Sequence, residues 1–215
     1  FENLTSSIHV NVYIIDGGFS RENKEKLNNI SYKYNTTFHF FNIDGTKYED
    51  FITNRHFSEA IYYRIAIPEI VDDSVDKVIY LDSDMIVLDD IEKLWKIDIS
   101  EYYLAAVETP NSNRKKALGM AESSKYFNSG LLIINVDRWR KEKITDKVIQ
   151  YIKENQDILF YPDQDALNVV LQEKWYSLEF RWNQISLFHN MNITESSYAH
   201  EIQNALDNPA IVHFT

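Results

Sequence analysis

The chain has 215 residues, 44% of them hydrophobic and 26% charged, a composition that supports a soluble fold with a sizeable core. Its formal net charge of −11 excludes a nucleic-acid binder held by phosphate contacts, which needs a basic face, but leaves room for an anionic small ligand, because a bound divalent cation reverses the local field. Cysteine is absent, so there is no disulfide framework, thiolate metal site or cysteine nucleophile, and no apolar run reaches the length of a membrane span.

From the N-terminus, Ile8–Asp16 (IHVNVYIID) alternates and is β-branched, which predicts a strand. Ser20 is the expected N-cap of a helix whose Leu27, Ile30 and Tyr34 share a face. Thr37–Ile43 reads as a second strand, and the order strand, helix, strand implies a parallel sheet with helical crossovers. Ser58–Ile70 is a helix that is apolar nearly all round, hence buried. Lys77–Leu81 is the next strand, followed by a short helix over Asp89–Ile97. Tyr102–Glu108 and Phe127–Val136 are strands with no polar face, as in the middle of an α/β sheet. Asp137 is expected to cap a helix over 138–155, and Asp163 another over 164–172. Pro209–Phe214 is a last strand. With 5 Gly, 4 Pro, no repeat and no low-complexity tract, one α/β domain over 1–215 accounts for the chain. The opening FENLTSSIHVNVYIID and the closing NPAIVHFT read as mid-domain sequence, so both ends are expected to be cut. The sequons at Asn3, Asn35 and Asn192 read as chance in an Asn-rich chain.

The chemistry concentrates in DKVIYLDSDMIVLDD, Asp76 to Asp90. A buried apolar strand runs into two carboxylates one residue apart, Asp82 and Asp84. The D-x-D string alone is weak, and a second copy occurs at Asp163-Gln164-Asp165. Position distinguishes the first copy, because ligands of open α/β sheets bind beyond the carboxyl ends of strands. Two partly desolvated carboxylates repel each other. A hard divalent cation relieves that and retains sites for phosphate oxygens. On the residues alone, a cation site and a solvated strand-end turn both stay open.

Five blocks now line up: Y-x-R at Tyr62–Arg64, DKVIYLDSDMIV, FNSGLLIINVDRW, DQDALN and the terminal HF. In order and spacing they resemble the retaining glycosyltransferases of family 8, which include bacterial lipooligosaccharide galactosyltransferases and glycogenin. The resemblance runs from Val10 to His213. It implies a GT-A fold, an α/β nucleotide-sugar domain with a mixed, mostly parallel central sheet flanked by helices. It implies transfer of a hexose from UDP-galactose or UDP-glucose to a glycan or glycoprotein acceptor, with Mn²⁺ (or Mg²⁺ in its place) and with retention of configuration. It further implies a cytoplasmic location, with the inner face of the membrane as the variant of that reading.

Residue by residue, the resemblance makes Asp82, Asp84 and His213 the metal ligands, and places Ser83 against the uridine. Arg64 would touch the donor sugar and diphosphate; on the residues alone, a structural ion pair serves equally. Asn128 would bind the donor hexose, where otherwise it is a turn-forming Asn, and Gly130 would allow close backbone approach. Asp163 would hold sugar hydroxyls, where otherwise it is a helix cap. Gln164 would face the reacting anomeric centre, and Asp165 would be secondary. Phe180–Gln184 is a candidate acceptor-side loop in which Trp182 either stacks on a sugar or fills the core. Compared with the family pattern, the A-x-D-x-N-Y first strand and the Gly and Lys of H-F-x-G-x-x-K-P-W lie outside the chain. Two other classes compete: a catalytically inactive sugar-binding or scaffold protein of the same fold, and a haloacid-dehalogenase-type phosphohydrolase. The latter expects Thr or Val two residues after the second Asp, where Ile86 stands, and a later paired acidic site, whereas Asp72-Asp73 comes too early.

Overall fold

The computed structural model describes residues 2–4, 8–15, 18–42, 59–190 and 197–215. Asp16, Ile43, Ser58 and the sequon at Asn192 lie outside the described residues.

The first strand, β1 (Val10–Ile15), pairs in parallel with β2 (Thr36–Phe41) across helix α1 (Arg21–Ser31), as the strand-helix-strand order predicts. Ser20 caps α1 by accepting from the Asn23 N–H at 3.2 Å. A 3₁₀ turn, Glu59–Tyr62, leads into α2 (Tyr63–Ile70), whose Arg64, Ile65, Ala66, Ile67 and Pro68 are all buried. Then come β3 (Lys77–Leu81), β4 (Met85–Val87), α3 (Glu92–Trp95), β5 (Leu104–Glu108), α4 (Arg114–Ala117) and β6 (Phe127–Asn135). Helices α5 (Val136–Glu142), α6 (Ile144–Glu154) and α7 (Pro162–Val170) follow. The chain continues through β7 (Trp175–Leu178), a 3₁₀ turn at Phe180–Asn183, α8 (Ser186–Asn190), α9 (Ala199–Asp207) and β8 (Ile211–His213).

The central sheet has four strands in the order β3-β6-β5-β7. It is mixed, as expected, but not mostly parallel: β3–β6 and β5–β6 are antiparallel and only β5–β7 is parallel. A continuous apolar run signals burial on both faces and is blind to strand direction. Both faces are indeed packed. Leu132 and Ile134 of β6 enter a core with α2, α5, α6 and α7, while Leu131 and Ile133 point to the opposite core with α3, α9 and β8. The period-2 alternation of side chains makes one apolar strand serve two cores.

Two helix readings change. The helix expected over 138–155 is two helices, broken at Lys143 in the left-handed region (φ 51°). Its cap is Asn135, whose side chain accepts from the Arg138 N–H, while Asp137 pairs with Lys141 along the helix. The next helix starts with Pro162 at its first turn and has no side-chain cap. Asp163 lies inside that helix, and its carboxylate is used elsewhere. No helix among the described residues is long and apolar enough to cross a membrane.

Candidate active site

Four elements converge at the carboxyl end of β3. The Asp82 N–H bonds the Gly130 carbonyl of β6 at 2.9 Å, so the strand pairing continues to the first carboxylate. The chain then turns at Ser83 and returns as β4, which pairs antiparallel with β8 and sets Met85 opposite His213. The turn and the β4–β8 ribbon bring His213, the 213th residue, back to a D-x-D more than a hundred residues earlier. Its Nε2 lies 3.3 Å from Asp84 Oδ1 and 3.8 Å from Asp82 Oδ2. One ligand atom from each residue lies within 4.8 Å of the others. Two carboxylate oxygens and an imidazole nitrogen are a donor set that Mn²⁺ or Mg²⁺ fits. Burial holds the imidazole below its ordinary pKa of 6.5 against the opposing pull of Asp84 and Asp82. Burial thus favours the neutral imidazole, the form that can ligate a cation. Among the described residues this is the cluster able to hold a cation.

Arg64 joins the Asp82–Asp84–His213 cluster to Asp163 on α7. It is buried on α2, where a charge needs partners. It has them: Asp82 Oδ1 at 3.0 Å, Asp163 Oδ2 at 3.1 Å, and the Ser129 carbonyl at 2.6 Å and Oγ at 3.0 Å. Burial opposes its charge, yet Asp163, Tyr80 and Asp82 together hold its pKa above the ordinary value. The Tyr80 hydroxyl also donates to Asp82 Oδ1, at 2.5 Å. That oxygen is thus committed to the protein, and Oδ2 faces His213. Burial pushes the Asp163 carboxyl up, with Arg64 and the Ser129 hydroxyl pulling the other way.

Gln164 lines the cleft with both ends of its amide engaged. Oε1 accepts from the Ser129 N–H at 2.9 Å and from Asn128 Nδ2 at 3.2 Å, and Nε2 donates to the Tyr126 hydroxyl at 2.9 Å. Asp165, expected to be secondary, is fully buried and anchors the whole helix start. It accepts from Tyr126 Oη at 2.6 Å, Arg114 Nη2 at 2.8 Å, and the Phe160 and Tyr161 N–H groups. Asn168, one turn on, binds both the N–H and the carbonyl of Phe127 and so fixes α7 against β6.

The walls enclose a cleft of about 1080 Å³ lined by Arg64, Asp82, Asp84, Asn128, Asp163, Gln164 and His213 among others. Of the expected site residues, Ser83, exposed on the turn, and Asp165, fully buried, lie outside that lining. Trp182 is buried in the second core, so it does not serve as an acceptor platform. Sequence reasoning passed over Ser129, Tyr80 and Asn183. Each lies inside a segment that the sequence singles out, Tyr80 in DKVIYLDSDMIV, Ser129 in FNSGLLIINVDRW and Asn183 in Phe180–Gln184, but nothing local marks its role.

These features define a glycosyltransferase of the GT-A fold, and the chain belongs to glycosyl transferase family 8, whose model matches residues 2–215. It is similar to General stress protein A of Bacillus subtilis, at 40% identity over 99% of this chain and 76% of that protein. It is also similar to the lipopolysaccharide glucosyltransferase WaaO of Escherichia coli, at 29% identity over 86% of this chain and 56% of that protein. The galactosyltransferase LgtC, solved in complex with donor and acceptor sugar analogs, superposes with a TM-score of 0.82 at 26% identity, covering 96% of this chain and 77% of that one. The chain thus spans half to three-quarters of the length of these relatives. The phosphohydrolase reading is set aside by the family match.

Proposed function

We propose that the protein is a metal-dependent, retaining hexosyltransferase that moves galactose or glucose from a UDP-sugar to a glycan or glycoprotein acceptor, in the cytoplasm or at the inner face of the membrane. The observation that carries the reading is the meeting of Asp82, Asp84 and His213 in the cleft whose wall also holds Arg64, Asp163 and Gln164. Relatives named as a glucosyltransferase and a galactosyltransferase support a hexose.

Asp82, Asp84 and His213 would hold the cation, Mn²⁺ by preference, which when bound supplies Lewis-acid stabilisation of the charge that develops on a departing diphosphate. Arg64 adds a fixed positive charge beside it. Asp163 and Asn128 offer hydrogen-bond partners to sugar hydroxyls, and Ser83 stands at the outer turn for the uridine. Retention needs either a covalent nucleophile or attack from the leaving-group face. Gln164 has its carbonyl oxygen committed to the Ser129 N–H and Asn128, and Asp163 is paired with Arg64. Asp165 is bound by Arg114 and Tyr126. No uncommitted nucleophile faces the cleft on this α7 segment, which favours front-face attack, with the departing phosphate oxygen taking the acceptor proton. The inactive-scaffold reading has less support, because Arg64, Asp82, Asp84, Asn128, Asp163, Gln164 and His213 all line one cleft.

The test is hydrolysis of UDP-galactose and UDP-glucose with and without Mn²⁺. Release of UDP with Mn²⁺ and none after chelation is the expected result; no release from either donor in the presence of Mn²⁺ would favour the scaffold.

A further inference from the structure

Behind the ligands lies a chain of buried amides with a fixed direction. His213 Nδ1 lies 2.9 Å from Asn183 Oδ1, and Asn183 Nδ2 donates to Asn128 Oδ1 at 2.8 Å. The same Asn128 oxygen accepts from the Gly130 N–H at 3.0 Å. Its Nδ2 donates to Gln164 Oε1, which also accepts from the Ser129 N–H. A backbone N–H only donates, and an amide side chain has one accepting and one donating end. The Gly130 N–H therefore obliges Asn128 to present its oxygen. That oxygen obliges Asn183 to present Nδ2, which turns Asn183 Oδ1 toward His213. A carbonyl oxygen facing Nδ1 requires a proton on Nδ1, which leaves the Nε2 lone pair facing Asp82 and Asp84. Asn183 is fully buried, so water does not offer an alternative partner.

We infer that Asn183 is a positioning residue that fixes the Nδ1–H tautomer of His213 for cation binding, with the direction of the bond set at the backbone N–H of Gly130. The inference rests on the reading that Asp82, Asp84 and His213 hold a divalent cation. It adds a link between that cation and Gln164 on the sugar side, through Asn183 and Asn128. Outer partners of ligating histidines are worth about 10- to 100-fold in metal affinity.

The experiment uses the metal-free protein and Mn²⁺ alone. Long-range ¹H–¹⁵N NMR reads the tautomer of His213, assigned by its loss in His213→Gln. The wild type is expected to carry its proton on Nδ1; a proton on Nε2 overturns the inference without any variant being made. Asn183→Leu is expected to lose the single tautomer and to bind Mn²⁺ about 10- to 100-fold more weakly by calorimetry. Asn183→Asp keeps an acceptor for Nδ1–H and is expected to retain the tautomer, while its second oxygen, set against Asn128 Oδ1 in place of Nδ2, is expected to lower stability in urea unfolding. Unchanged tautomer and affinity in a folded Asn183→Leu, or loss of the Nδ1–H tautomer in a folded Asn183→Asp, overturns the assignment. A wild type with the Nδ1–H tautomer that binds no Mn²⁺ supports the positioning bond and contradicts the cation reading, so the two failures are separate.

Discussion

Gly130 and His213 are packed so closely that a Cβ on Gly130 would lie 2.3 Å from His213 Cε1 and 2.9 Å from its Nδ1. Gly130 is held in β6 through its N–H to Asn128 and its carbonyl to the Asp82 N–H, and the imidazole is held by Asn183. Gly130→Ala must therefore displace the ring. The expected result is Mn²⁺ binding weakened at least about tenfold, with stability lowered by about 1–3 kcal/mol from overpacking. Calorimetric Mn²⁺ titration and urea unfolding read the two quantities. A folded variant with native Mn²⁺ affinity would contradict the close-approach account.

Arg64 neutralises Asp163 inside the fold. Arg64→Met leaves that buried carboxylate uncompensated and should cost about 3–5 kcal/mol in urea unfolding. Asp163→Asn placed in the same background should recover part of the loss. A single variant within about 1 kcal/mol of wild type would show that the pair is structurally idle.

Gln164→Ala removes a side chain that aligns the sugar-side wall but leaves the cation ligands and Arg64 in place. Turnover of the UDP-hexose should fall by roughly 10- to 100-fold, the loss expected from imperfect alignment, with little change in donor affinity. Loss of nearly all turnover, together with a hexose mass found on Gln164 of the wild-type chain, would replace front-face attack by a covalent route.

The buried imidazole of His213 also predicts a pH dependence for the metal-free protein. Its folded pKa is lowered by burial, whereas the unfolded chain takes up the proton at about 6.5. Stability from this residue is complete above 6.5, falls as the pH drops through the lowered value, and levels off below it. Urea midpoints followed across that window in EDTA should show the slope, and His213→Gln should remove it. An identical slope in the variant would assign the effect to another group.

Much of this was legible before any coordinates. Alternation located β1, apolar β-branched or aromatic runs located β2, β3, β5, β6 and β8, and D-x-D at the end of an apolar strand pointed to the candidate cation site. The resemblance named His213, which no local pattern around VHF distinguishes from an ordinary strand residue. The antiparallel pairing of β6 was hidden because burial on both faces erases the polar alternation that carries orientation cues. The Lys143 break was hidden because helical periodicity runs on across one left-handed residue. The anchoring role of Asp165 was hidden because its partners, Arg114 and Tyr126, come from 51 and 39 residues away in sequence, and only folding brings such polar groups together. Asn183 was missed for the same reason: its partners lie on β8 and at the start of β6.

The most direct test of the central claim is calorimetric binding of UDP to the wild type and to Asp84→Asn, each with and without Mn²⁺. Asp84 is half exposed, so its substitution should leave the fold intact. The account predicts that UDP binds the wild type tightly only when Mn²⁺ is present, and that Asp84→Asn loses most of that gain. Equal UDP affinity with and without Mn²⁺, or an Asp84→Asn protein that keeps the full gain, would contradict a cation held by Asp82, Asp84 and His213.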